Sequence, residues 1–188
     1  MADHVDVVLE QWHLRRPDLN VDSMAVVGRL SRLSQVVAVQ LRRTFARHGL
    51  DPASFDVLAT LRRSDPASPL TPAQLTHAAM VTSGAISQRL DRLESRGLVS
   101  RVPSPTDGRV VHVALTDQGR SIIDRALPDH VATMDRLLQG LAPDQREQLA
   151  HLLRALLCSL GSTADTADTA DPADAHRPAH HEGVASIS

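Results

Sequence analysis

Between residues 70 and 116, apolar positions first recur at helical spacing and then alternate as they do in strands. Two short helical patterns meet at a turn of small residues, and in the second pattern Ile86, Leu90 and Leu93 form one apolar stripe. Residues 98–102 and 110–115 then form β-favouring runs, joined by the turn sequence Pro-Ser-Pro-Thr-Asp-Gly. The pattern therefore predicts the order helix, turn, helix, hairpin.

Signals at the helix ends support this order. Thr71 is suited to cap the first helix and Pro72 to occupy its first turn. The second helix runs to about Arg96, with Gly97 where a left-handed residue is favoured. Its side chains that face away from the apolar stripe are Ser83, Ser87, Gln88 and Arg92. A winged helix-turn-helix, which lays one helix in the DNA major groove, fits all of these features. An ordinary helical pair with a surface hairpin is the less specific alternative.

Longer amphipathic patterns flank the DNA-reading core of residues 52–115. They predict an extra N-terminal helix at about 3–14, a long helix at about 22–48 and a helical region at about 117–160. Pro128 is expected to disturb the first helix of that last region. The second helix, from Pro143 to about Leu160, is so rich in leucine that it needs a cover, which a second copy of the chain would supply.

Composition and charge divide the chain into a body, residues 1–162, and an acidic, histidine-containing tail, residues 163–188, which is expected to be disordered. Five acidic residues and one arginine lie in 161–188, so the rest of the chain carries a net charge of +2 although the whole carries −2. All 20 basic residues are arginine, which suits phosphate and guanine recognition, although a G+C-rich genome would also favour arginine over lysine.

Several function classes lack their motifs. The sequence contains no apolar run of membrane-spanning length and no secretory signal, and its single cysteine excludes an internal disulfide, so a cytoplasmic location is expected. No nucleophile elbow, phosphate loop or metal-ligand spacing points to an enzyme, a cofactor or a metal. The histidines of the tail match no closed metal site.

The flanking helices, together with GLVSR running into PTDGR and then LT, resemble the MarR family of bacterial regulators over about residues 22–160. The resemblance implies a mainly α-helical homodimer in which each subunit has a small β-wing and the outer helices form the dimer interface. It also implies that this dimer binds palindromic double-stranded DNA. It implies that Ser83, Ser87, Gln88 and Arg92 face bases or phosphates. It also implies that Arg109 enters or lines the minor groove and that Asp107 helps to hold that arginine in place.

Four positions resemble the urate-responsive branch of this family: Trp12, Asp56, Arg63 and Arg89. The segment Trp-His-Leu-Arg-Arg-Pro-Asp-Leu from Trp12 is similar to the N-terminal segment of that branch. From spacing alone, Asp56 and Arg63 share one helix face. Arg89 lies at the apolar stripe, where a charge needs a partner, and Asp56 is the natural one.

The resemblance implies that urate, or a similar anionic planar ligand, pairs with Arg63, stacks near Trp12 and displaces Asp56. Arg89 would then be free to shift the recognition helix and release a repressor from DNA. Four alternatives stay open: a purely structural Asp56–Arg89 ion pair, another carboxylic or phenolic acid as ligand, a redox switch at Cys158, which the last helix is expected to bury, and a helical dimer without DNA function.

Overall fold

The computed structural model describes residues 2–64, 69–78, 86–104, 107 and 109–167, without the side chains of 162–167. The chain divides after Leu137 into two compact units. The predicted mainly helical fold with a small antiparallel sheet is confirmed. Its elements are α1 (His4–Arg15), α2 (Asp22–Ala46), α3 (Pro52–Arg63), α4 (Pro72–Ala78), α5 (Ile86–Ser95), β1 (Val99–Pro103), β2 (Val111–Leu115), α6 (Asp117–Leu137) and α7 (Pro143–Ala167).

Local capping fixes most of these helix ends. The Asp51 carboxylate accepts hydrogen bonds from the backbone amides of Ala53, at 3.0 Å, and Ser54, at 2.9 Å, which starts α3. Gly49 and Gly97 both have a φ of 67° and end α2 and α5 in the left-handed conformation that glycine adopts without strain. The sequence predicts the Gly97 position correctly.

The core of the first unit is built around α3, and α5 packs against α3. Its fully buried apolar side chains include Leu58 of α3 together with Leu90 and Leu93 of α5. Phe45 of α2 stacks on Phe55 of α3 with ring centroids 4.0 Å apart. The apolar stripe predicted for the second helix of the DNA-reading module is thus confirmed as its buried face.

The two strands pair antiparallel, with Val99 opposite Leu115 and Pro103 opposite Val111. The Val113 amide also donates to the Leu70 carbonyl at 2.9 Å, so the segment that enters α4 adds a single bridge to the sheet. The apolar pattern of the sequence does not predict this third segment. The bridge ties the start of the helix-turn-helix to the wing.

Helix α6 begins directly after the sheet. The Thr116 hydroxyl accepts from the Gly119 amide at 3.0 Å and donates to the Gly97 carbonyl at 2.6 Å. One threonine therefore caps α6 and also binds the turn that ends α5. The helix passes through Pro128 to Leu137 as one element.

The second unit contains α7, for which two expectations from the sequence are wrong. Helix α7 continues to Ala167 instead of ending near Leu160, because one glycine, Gly161, costs a helix only about 1 kcal/mol and no proline follows before Pro172. Cys158 is exposed, so the expected burial of its thiol is wrong for this unit. The leucines that remain largely exposed are Leu152, Leu156, Leu157 and Leu160. Residues 168–188 of the expected tail lie outside the described residues.

Among the residues that the structure describes, no helix is long and apolar enough to cross a membrane.

We expect Gly119→Ala to destabilise the protein. A Cβ at this position would stand 1.9 Å from the Leu98 carbonyl oxygen, so the start of α6 would have to move away from the Leu98 backbone. The free energy of unfolding should fall by about 1–3 kcal/mol or more, measured by urea denaturation at one protein concentration. Gly140→Ala is the control, since its Cβ would meet nothing within 4 Å. Equal stability of the two variants would contradict this packing.

Candidate nucleic-acid interface

Helix α5 presents one polar face to solvent while the opposite face is buried. Ser87, Gln88 and Arg92 are exposed, whereas Leu90 and Leu93 on the opposite face have no exposed surface. A shallow depression on the outer face is lined by Gln88, Asp91, Arg92 and Ser95. Ser87, Gln88 and Arg92 therefore lie on one accessible surface of α5, as contact with a DNA groove requires. Ser83 lies outside the described residues.

The wing carries Arg109 at its tip, and Asp107 shapes the turn that presents it. The Asp107 carboxylate accepts from the Arg109 backbone amide at 3.0 Å. The Asp107 carbonyl accepts from the Val110 amide at 2.9 Å, and the Val110 carbonyl accepts from the Ser104 amide at 2.8 Å. This contact places the Arg109 backbone and leaves its exposed side chain pointing outward into solvent.

Two arginines outside the predicted set attach α5 to its neighbours. Arg101 of β1 binds Asp91 at 2.6 Å and also pairs with Glu94, and these hydrogen bonds raise the pKa of its guanidinium. Arg96 donates to the Gly49 carbonyl at 2.8 Å. The sequence signal for the first contact was available in the two acidic residues three positions apart on α5, which face the strand that follows.

Arg89 lies at the inner edge of α5. Its Nη1 atom is buried and has no hydrogen-bond partner among the described residues. Burial opposes the charged form of Asp51, but hydrogen bonds from Ser54 and Ala53 and the charge of Arg89 outweigh it and lower the pKa of Asp51. The structure thus gives Arg89 an acidic neighbour, the cap of α3, that residue spacing does not indicate. Asp56 is half-buried further along the same helix.

The other two predicted ligand residues lie on different elements. Arg63, at the end of α3, donates to the Ala78 carbonyl at the end of α4 at 2.7 Å. Trp12 lies on α1, which packs on α2, and its side chain is 40% exposed. Arg63 and Arg89 are therefore on adjoining helices of the DNA-reading core, whereas Trp12 is on the outer helix pair.

Two clefts accompany these elements in the first unit. One, of about 290 Å³, lies between the end of α3, β2 and the start of α6 and includes Arg62 and Arg120 in its lining. The other, of about 330 Å³, is an apolar groove between α1 and α2. Neither lining contains Trp12, Asp56, Arg63 or Arg89. Within the described residues, no cluster of three histidine, cysteine or acidic side chains is placed to hold a metal ion.

The sequence model of the MarR family matches residues 48–110, which span α3 to the wing. The chain is 38% identical over 159 residues to the HTH-type transcriptional regulator PecS of Dickeya dadantii, which covers 84% of this chain and 93% of PecS. The chain belongs to the MarR family. It is a DNA-binding transcriptional regulator, and the relatives that it resembles are regulators and not enzymes.

Solved structures of MarR-family regulators are also similar. A mutant of Escherichia coli MarR in complex with operator DNA is 30% identical, with a TM-score of 0.63 over 73% of this chain and 97% of that one. BpsR of Bordetella bronchiseptica, whose DNA binding is regulated by 6-hydroxynicotinic acid, is 26% identical, with a TM-score of 0.62 over 70% of this chain and 91% of that one.

For this MarR-family chain we expect Asp51→Ala to destabilise α3 by about 1 kcal/mol, because its cap is lost. The folded-state pKa of Asp51 is lowered, so its contribution is present at neutral pH and disappears as the pH falls through that pKa. Denaturation should therefore show a smaller difference in the free energy of unfolding between the native and variant proteins at pH 3 than at pH 7. A difference of the same size at both pH values would contradict an ionised cap.

Proposed function

We propose that this MarR-family regulator is a homodimeric repressor of a palindromic operator, released by urate or a similar anionic aromatic metabolite. The observation that carries the DNA-binding part is the exposed polar face of α5, which is backed by two leucines with no exposed surface. Because the buried face fixes the rotation of the helix, the side chains on the outer face are presented in a defined direction.

The side chains on that face suit base and phosphate contacts. Gln88 matches the two hydrogen-bonding groups of adenine, and Arg92 matches guanine or a phosphate. Ser87 would donate to a phosphate at the start of α5, and Ser83, which lies outside the described residues, is also expected to face bases or phosphates. Arg109 at the wing would enter the adjacent minor groove, where negative potential attracts arginine.

Exposed apolar surface supports a dimer. In the first unit, α2 leaves Val26, Val27, Leu33 and Val36 between 46% and 63% exposed. In the second unit, four leucines of α7 are 40% to 69% exposed. Apolar surface of this extent marks a protein interface, and a second copy of the chain is the proposed cover. A symmetric dimer then places its half-sites about ten base pairs apart.

The effector part rests on Arg63 and Arg89. The Arg89 Nη1 atom is buried without a partner among the described residues, and Arg63 uses only Nη2 in the contact with Ala78. An anionic ligand would satisfy both cations, compete with the carboxylates of α3 and stack near Trp12. A shift in operator occupancy of about tenfold needs only about 1.4 kcal/mol of differential binding between the two states.

A carboxylic acid is the second candidate for the effector. Arginine pairs with carboxylates through two parallel hydrogen bonds, so a cationic site selects charge before it selects identity. The regulation of BpsR by 6-hydroxynicotinic acid shows that an aromatic carboxylate acts on a chain of this fold. Urate and 6-hydroxynicotinic acid therefore belong in the same experiment.

We expect Arg92→Ala to weaken operator binding by about tenfold or more, because one base or phosphate contact is worth about 1–3 kcal/mol. Gel shifts at two salt concentrations measure the effect, and loss of a phosphate contact also reduces the salt dependence. Arg125→Ala on α6 is the matched control, since Arg125 is exposed and bonds only Ser121 among the described residues. Equal weakening by both substitutions would contradict a specific role for α5.

The effector proposal is tested by titrating the protein–operator complex with urate. Arg63→Ala should need about tenfold more urate for release than the native protein, because it loses the ionic partner of the ligand. Arg62→Ala is the control, as the neighbouring arginine pairs instead with Asp124 at 2.7 Å. Equal release from all three proteins would exclude a ligand at Arg63, and release by 6-hydroxynicotinic acid alone would favour the second candidate.

A further inference from the structure

Two carboxylates lie on the helix proposed to face DNA. Asp91 lines the same shallow depression as Gln88 and Arg92, and Glu94 follows it by three residues. Carboxylates close to a phosphate backbone repel it, so their presence on this helix needs an explanation. Their contacts with the wing provide one.

Both carboxylates are bound by Arg101 of β1. Its Nη2 donates to Asp91 Oδ1 at 2.6 Å and its Nη1 pairs with Glu94 Oε2. The Arg101 backbone amide also donates to Glu94 Oε1 at 3.1 Å. The strand of the wing is thus joined to α5 at three points, through both the side chain and the backbone of one residue.

The Arg101 side chain and the two carboxylates that it binds are partly shielded from water. The side chain of Arg101 is 30% exposed, that of Glu94 39% and that of Asp91 64%. A planar guanidinium that binds two carboxylates restricts their relative orientation more than a lysine ammonium would. This contact is therefore suited to hold a geometry and not only to balance charge.

We infer that Arg101 is a positioning residue for DNA recognition, which fixes the angle between α5 and the wing. Gln88 and Arg92 then reach the major groove while Arg109 reaches the adjacent minor groove of the same site. The inference rests on the proposed role of α5 and Arg109 in DNA binding. Positioning matters for a specific operator, where all contacts form at once, and much less for unspecific DNA, where charge dominates.

Positioning and simple charge balance predict opposite results for one double variant. Asp91→Asn with Glu94→Gln removes two negative charges from the DNA-facing helix while it keeps the side-chain shapes. If Arg101 only neutralises these carboxylates, the double variant binds every DNA more tightly. If Arg101 sets the angle, the double variant loses preference for the operator, because neutral amides hold a guanidinium weakly.

The experiment compares affinities for a promoter duplex protected by the native protein and for an unrelated duplex of equal length, at one salt concentration. Arg101→Met and the double variant should lower the ratio of the two affinities by about tenfold or more. Arg101→Lys should stay below the native ratio. Arg16→Met is the control, and its affinity ratio should stay within about twofold of the native ratio. Arg16 also binds a carboxylate through two hydrogen bonds, to Asp18, but it lies at the end of α1 and outside the DNA-reading core.

Circular dichroism identifies any variant that fails to fold, in which case the remaining variants decide. An unchanged ratio with tighter binding of both duplexes by the double variant would overturn the inference in favour of charge balance. An unchanged ratio in Arg101→Met would overturn it as well. If the native protein itself shows no preference for any promoter duplex, the proposed function fails and the inference fails with it.

Discussion

The burial of Leu90 and Leu93 is the constraint on which the DNA-reading surface depends. Helix α5 has ten described residues, too few to be stable in water by itself, so its existence and rotation come from tertiary packing. Each fully buried leucine contributes about 1.5–3 kcal/mol. With that face fixed on α3, only the face with Ser87, Gln88 and Arg92 remains accessible. Core packing therefore determines which residues of α5 are accessible for the proposed DNA contacts.

The segment around Gly97 and Thr116 extends this constraint to the wing and to α6. Gly97 ends α5, its carbonyl accepts from the Thr116 hydroxyl, and the same hydroxyl caps α6. The lack of a side chain at Gly119 lets α6 approach the Leu98 carbonyl. These close contacts join the start of α6 to the turn that ends α5.

Local signals made much of the fold predictable. These signals involve residues that are close together in the sequence: the cap at Asp51, the glycines at positions 49 and 97, and the apolar stripe of Leu90 and Leu93. Contacts between distant elements were not predictable in this way. The Leu70–Val113 bridge depends on how elements pack, which residue spacing does not encode. The proximity of Arg89 to Asp51 was missed for the same reason.

A hydroxyl-radical footprint of the native protein on its own promoter tests whether α5 and the wing of a dimer bind DNA together. Protection is expected on one face of the duplex, in two half-sites about ten base pairs apart, with flanking protection where the wings meet the minor groove. Uniform protection at low salt that disappears at moderate salt would contradict this mode of binding.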